Sequence, residues 1–192
     1  MGQLALLLRD AGHEVSGSDA AFDPPMGPAL ETAGIRCLHG FDAGRLEAPS
    51  SGTTIDLVVV GNAIRQDNPE AARAEELGLP RASMSGTLRE HFLQGRRPLV
   101  VAGTHGKTTT SSMCAWILHQ AGLEPGFFIG GQPKNFPSGA AIGSTKRKLV
   151  TGPAGTTARP CPFVIEGDEY DAVYWHKVPK FLDYVGLGSD DV

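Results

Sequence analysis

Apolar residues at Leu4, Leu7, Leu8 and Ala11 recur at i, i+3, i+4 and i+7, so residues 1–11 are predicted to form an amphipathic helix that stops at Gly12. A short strand over 13–18 ending at Asp19, a helix within 28–33 and a weak strand over 35–38 follow. Residues 56–61 enclose the run Leu57-Val58-Val59-Val60 between Asp56 and Gly61, the pattern of a strand buried on both faces of a parallel sheet. Asn68-Pro69 marks a helix start, since proline at the first helical position lacks only an N–H that has no partner there. That helix is expected to reach about Leu77, followed by a strand over 81–84 and a helix over 87–93. Strands are then predicted over 99–102, 127–129, 163–166 and 181–185, with a helix from Lys107 to about Gln120. Met113, Trp116, Ile117 and Ala121 share one face of that helix and are expected to point into the core. Residues 143–162, rich in Lys, Arg, Gly, Thr and Pro without periodicity, read as an exposed loop; a solvated insertion and a basic contact for an anion are both open.

Strands alternating with helices predict an α/β fold with parallel sheets. Gly95-Arg96-Arg97-Pro98 has linker character, so residues 1–95 are expected to form one domain and 96–192 to begin a second. The first is Rossmann-like in its alternation, but such domains open on a central strand and a glycine-rich loop. Met1-Gly2 resembles the tail of that loop, and the expectation is a domain cut at its N-terminal side.

The densest chemical signal is the apolar strand Leu99–Ala102 running into Gly103, Thr104, His105, Gly106, Lys107, Thr108 and Thr109 at the head of a helix. A strand, a glycine loop and a helix start form a phosphate cradle, because backbone N–H groups and the helix dipole both face the anion. Lys107 adds charge, and a hydroxyl after it can reach Mg²⁺. The spacing departs from G-x-x-x-x-G-K-[ST], whose first glycine would fall at Val101. An ordinary turn with a solvated lysine is the plain alternative.

A second signal is Phe163-Val164-Ile165-Glu166-Gly167-Asp168-Glu169-Tyr170-Asp171, a short apolar strand ending in acids. A carboxylate at a strand end beside a phosphate loop suits a nucleotide-bound Mg²⁺, a hard cation that also keeps phosphate oxygens and waters. A solvated acidic turn has the same composition. In the first domain, Asp19 ends a strand 17 residues after Gly2, near where dinucleotide folds place an acid on ribose hydroxyls; an acid capping a loop fits equally. Gly61-Asn62-Ala63 ends the next strand and would line the same crevice, or serve as a structural turn.

The net charge of −4 gives no basic surface for nucleic acid, and no apolar run approaches the roughly 20 residues of a membrane span. Three cysteines without metal spacing fit a reducing, cytoplasmic setting.

The G-T-H-G-K-T-T-T segment, residues 103–110, resembles the Mur ligases, ATP-dependent enzymes that add amino acids or peptides to UDP-N-acetylmuramate in cell-wall synthesis. The resemblance implies that ATP phosphates lie on Gly103, Thr104, His105, Gly106, Lys107, Thr108 and Thr109. Lys107 and Glu166 would be the catalytic pair. Thr108 and Glu166 would hold Mg²⁺, Glu166 matching the first acid of the family's E-A-D-E segment. The stretch G-H-E-V-S-G-S-D, residues 12–19, is similar to a uridine-contacting segment, which carries Ser18 and Asp19 over as UDP-sugar residues with Gly61, Asn62, Ala63 and Asn135. Residues 169–184, with the G-N-A-I and P-G-F-F-I-G-G segments, resemble the recycling branch, whose acceptor is the tripeptide L-Ala-γ-D-Glu-meso-diaminopimelate. The L-alanine-adding branch is the nearest alternative, and a nucleotide-binding remnant without catalysis the alternative of another class. Family members continue with further metal, substrate and adenine contacts and a C-terminal domain, so the chain is expected to be a fragment, inactive alone.

Overall fold

A computed structural model describes residues 1–47, 54–152, 155–167 and 171–186. In chain order the elements begin with α1 (Gly2–Asp10), β1 (Ser16–Asp19), α2 (Met26–Thr32), β2 (Arg36–His39) and a 3-10 turn (Ala43–Leu46). Next come β3 (Val58–Val60), α3 (Pro69–Glu76), β4 (Arg81–Ser83) and α4 (Met84–Leu88), which runs into a π-helical turn (Arg89–Leu93). They continue with β5 (Arg97–Ala102), α5 (Lys107–Gln120), β6 (Gly126–Phe128), β7 (Ala140–Ala141), β8 (Lys148–Gly152) and β9 (Gly155–Arg159). The last are β10 (Pro162–Gly167), β11 (Asp171–Val173), β12 (His176–Pro179) and α6 (Lys180–Val185). The chain divides into two compact units, one of residues 1–87 with 171–178, the other of 88–170 with 179–192. Among the described residues no helix is long and apolar enough to cross a membrane.

In the first unit β1 runs parallel to β2 from Ser16↔Arg36 to Asp19↔His39, and β3 runs parallel to β4 from Val58↔Arg81 to Val60↔Ser83. Leu4 and Leu7 of α1 and Leu30 of α2 are buried, as the helical stripe requires. Asn68 caps α3: its side-chain oxygen accepts from the backbone N–H of Glu70 at 3.0 Å and of Ala71 at 3.1 Å, with Pro69 in the first turn. β11 and β12 form a two-stranded pair, and Arg81 of β4 lies over the ring of Trp175 between them, 4.9 Å from its centroid.

The second unit is built on a sheet of order β5-β10-β6-β7. β10 pairs parallel with β5 and with β6, and β7 closes the edge antiparallel to β6. Phe163, Val164 and Ile165 of the central strand are fully buried, the continuous apolar run of a strand covered on both faces. Ala115, Phe127, Ile129 and Val164 form the core, with Leu99, Val101, Cys114, Leu118, Phe136 and Ala141 packed around them.

Three sequence expectations change. The core-facing side of α5 is Ser111, Cys114, Ala115 and Leu118, whereas Met113 and Ile117 are 59% and 62% exposed and Ala121 is exposed. Small side chains at 111, 114 and 115 let the helix approach the sheet closely beneath the loop, and the larger apolar groups turn outward. Residues 181–185, predicted as a strand, lie in α6, where Lys180, Asp183 and Tyr184 are buried at i, i+3 and i+4. A five-residue apolar run fits either structure, and Pro179 at the cap position ends the preceding strand. The basic stretch read as a loop contains the antiparallel hairpin β8–β9, with Lys148 opposite Arg159 and Lys148 paired to Glu124 at 3.1 Å.

Replacing Asn68 with alanine removes the side-chain oxygen that accepts from two backbone N–H groups at the head of α3 and is expected to destabilise the protein by about 1 kcal/mol, read from urea unfolding. Asn68→Asp, which keeps the acceptor, should stay near the parent midpoint; an unmoved midpoint in Asn68→Ala would remove the cap from the account.

Candidate functional site

The loop between β5 and α5 has the backbone that an anion cradle needs. Gly103 has φ +145° and Gly106, the cap of α5, φ +77°, both in the region that side-chain-bearing residues avoid. Gly103 through Gly106 are exposed, so the N–H groups at the helix start face solvent. The Lys107 ammonium lies back across the loop and donates to the Gly103 carbonyl at 2.8 Å. Its charge is thereby held at the loop, beside the start of α5. His105 Nδ1 lies 3.2 Å from Thr104 Oγ1, within the loop itself.

Glu166 arrives from the neighbouring strand. The β5–β10 register sets Glu166 opposite Val101 and Gly167 opposite Ala102, level with the residue just before the loop. β6 ends on the same edge and delivers Gly130 and Gly131. A Cβ on Gly130 would stand 2.9 Å from Glu166 Oε2, and one on Gly131 would stand 2.7 Å from Thr108 Cγ2. The two residues predicted to hold a metal thus flank one diglycine turn whose lack of side chains makes the approach possible. Glu166 Oε1 is buried and has no hydrogen-bond partner in the structure. A buried carboxylate oxygen left unpaired is costly, and a hard cation is the partner that suits it. Among the described residues no group of three or more His, Cys, Asp or Glu gathers as a metal site, here or elsewhere. One carboxylate and one hydroxyl nevertheless match Mg²⁺, which keeps most of its shell for phosphate and water. Asp168 and Glu169 lie outside the described residues.

Asn135 follows β6 and lines an open cavity of about 530 Å³ with Thr108, Thr109, Ser112, Trp116 and Gln132. Within this unit the loop's first helical turn and Asn135 therefore share one depression. Sequence reading missed Gln132 and Ser112 here and placed Trp116 in the core. Trp116 instead stacks on His119, with ring centroids 5.6 Å apart, and sets its edge against Phe136. The polar spacing of Gln132, Lys134 and Asn135 after a diglycine was the available signal.

In the first unit Ser18 and Asp19 close β1 at its carboxyl end, beside His39 at the end of β2. Gly61, buried, and Asn62 and Ala63, exposed, close β3; the Ile64 N–H bonds back to the Gly61 carbonyl at 3.1 Å. Ends of parallel strands are where open α/β sheets bind ligands.

A family model described as Mur ligase family, catalytic domain, matches residues 1–96, half of the chain. The UDP-N-acetylmuramate–L-alanyl-γ-D-glutamyl-meso-2,6-diaminoheptandioate ligase of Escherichia coli K12 is 44% identical over 184 residues, 96% of this chain and 36% of that protein. The UDP-N-acetylmuramate–L-alanine ligase of Paenarthrobacter aurescens is 38% identical over 190 residues, 99% of this chain and 37% of its own length. The crystal structure of a murein peptide ligase from Psychrobacter arcticus superposes with a TM-score of 0.80 at 40% identity, covering 96% of this chain and 38% of that one. The chain spans a little over a third of the length of these relatives.

Gly131→Ala would set a methyl group against Thr108 Cγ2 and displace the Thr108 side chain from its present position. Binding of Mg²⁺–ATP, followed by calorimetry, is expected to weaken about tenfold, the scale of a modest overpacking penalty. Equal affinity in Gly131→Ala would separate Thr108 from the metal.

Proposed function

This chain belongs to the Mur ligase family, and on that premise we propose that it is the UDP-sugar-binding and nucleotide-binding part of an ATP-dependent ligase. The reaction would join UDP-N-acetylmuramate to L-alanyl-γ-D-glutamyl-meso-diaminopimelate in cell-wall recycling and synthesis. Residues 1–95 would hold the UDP-sugar through Ser18, Asp19, Gly61, Asn62 and Ala63. Residues 96–192 would be the first part of the ATP-binding domain, with Asn135 reaching the sugar. The observation that carries this reading is that Glu166 lies against Gly130 and Thr108 against the adjoining Gly131, with the Gly103–Gly106 loop at the head of the helix that carries Thr108. Nucleotide substrates and cysteines without disulfides among the described residues support a cytoplasmic setting.

In the proposed reaction the lactyl carboxylate takes the γ-phosphoryl group of ATP. The acceptor's free amine then attacks the acyl phosphate, giving an amide, ADP and phosphate. Both first reactants are anions that repel, so the protein's work is positioning and neutralisation rather than covalent chemistry. Backbone N–H groups of Gly103 through Thr109 would hold the β- and γ-phosphates. Lys107, already laid across the loop, would leave the Gly103 carbonyl for the phosphate oxygens. Thr108 and Glu166 would hold Mg²⁺, which when bound supplies positive charge to the phosphates. His105 carries no step.

The tripeptide reading is supported by the run of residues 169–184 and by the 44% identity to a ligase named for that acceptor. The 38% match to an L-alanine ligase is the observation that favours the second reading.

In the complete natural protein, Lys107→Ala is expected to lower ligation at least about a hundredfold, the scale of one lost charge-stabilising donor, while UDP-sugar affinity stays near the parent value. Phosphate release measured with tripeptide and with L-alanine decides the acceptor. Undiminished turnover in Lys107→Ala would sink the phosphate role, and phosphate release that ignores both acceptors would leave a nucleotide-binding module.

A further inference from the structure

At the carboxyl end of β1 three stretches distant in sequence meet on two charged side chains. Arg45, in the 3-10 turn after β2, donates from Nη2 to the His39 carbonyl at 2.8 Å and from Nη1 to the Gly40 carbonyl at 2.7 Å. The same Nη1 lies 3.2 Å from Ser18 Oγ and 3.2 Å from Glu70 Oε1. Glu70, in the first turn of α3, accepts on that one oxygen from Ser18 Oγ at 2.8 Å and from the Asp42 N–H at 3.1 Å. Gly40, held by Arg45 through its carbonyl, donates its own N–H to the Asp19 carbonyl at 2.8 Å. Ser18 and Asp19 are thereby fixed from two directions.

This wiring changes what Ser18 can do. Its proton goes to Glu70 and one lone pair faces Arg45, so it retains at most one acceptor site for a ligand. Asp19 keeps a carboxylate whose Oδ1 accepts from the Ala20 N–H at 2.7 Å, which orients it at the strand end. We infer that Arg45 and Glu70 are positioning residues for the UDP moiety: they hold the Ser18–Asp19 corner in the shape that receives the nucleoside diphosphate without touching it themselves. The inference rests on residues 1–95 being the UDP-sugar site. The pair is 29% and 16% exposed, and partly solvated ion pairs contribute little to stability. Three donors on one oxygen instead restrict geometry, so the loss is expected in binding more than in folding.

The test uses the complete natural protein with UDP as the calorimetric probe. Glu70→Ala is expected to weaken UDP binding about tenfold, as is Arg45→Met, the worth of one charge-assisted hydrogen bond. Glu70→Gln keeps an acceptor oxygen and should lose no more than about threefold. KM for ATP, and kcat at saturating UDP-sugar, should hold at parent values in all three. Parent-like UDP affinity in folded Glu70→Ala and Arg45→Met overturns the positioning role and leaves the UDP site standing. Absence of UDP binding in the parent protein overturns the site and the inference together. If Glu70→Ala does not fold, Glu70→Gln and Arg45→Met decide by the same measurement.

Discussion

Parallel pairing of β10 with β5 on one side and β6 on the other is the constraint on which the geometry of the candidate site depends. It places Glu166 level with Val101, one step before the strand gives way to the loop, and it brings the end of β6 to the same edge. Side chains alternate between the two faces of a strand, so a slip of one residue would send Glu166 to the opposite face. What prevents the slip lies just upstream: Phe163, Val164 and Ile165 are fully buried, and every shifted register exposes some of that surface. The position of a carboxylate at the sheet edge is therefore set by hydrophobic burial in the strand that carries it. No contact of the carboxylate itself is required.

The edge so formed works by omission of side chains. Gly103 and Gly106 supply backbone angles that would strain other residues, while Gly130 and Gly131 supply room beside Glu166 and Thr108. Those four bare positions leave loop N–H dipoles, the Lys107 ammonium, the Thr108 side chain and the Glu166 carboxylate at the ends of neighbouring elements of one unit. The buried, unpaired oxygen of Glu166 is destabilising as it stands. A protein keeps such a group where an occupant satisfies it, and under the proposed function a Mg²⁺–nucleotide complex would be that occupant.

The strand, glycine loop and helix start over residues 97–120 were legible because all of their determinants are contiguous. An apolar strand, two glycines, a lysine and a helix start declare themselves within a dozen residues. Asn68-Pro69 was legible for the same reason, as was the strand ending at Asp19. The facing of α5 was not. Its apolar residues Met113, Trp116 and Ile117 obey helical spacing, yet the sheet selects the face with small side chains, where Ser111 and Ala115 allow a close approach. Packing distance overrode hydrophobicity there, and distance is a property of the partner. In α6 the apolar run is too short to establish a period. In β8–β9 the alternation is hidden by Lys and Arg on a hairpin whose Leu149 is 76% exposed, so no buried face announces it.

The Arg45–Glu70 hub lies at the far end of this scale. Its bonds join residues 25 and 52 positions apart in the chain, and each member taken alone is an ordinary surface charge or hydroxyl. Glu70 sits in a first helical turn, where an acid is already accounted for by the helix dipole, so local reasoning stops at that explanation. Arg45 lies in a short 3-10 turn with no pattern at all. A site made of backbone in one loop must write its requirements into adjacent residues, because glycine is needed where the chain bends. A site whose geometry is held by side chains from separate strands and helices has no such obligation. Its geometry resides in the fold that gathers them, which explains why no local pattern points to Arg45 or Glu70 as partners of Ser18.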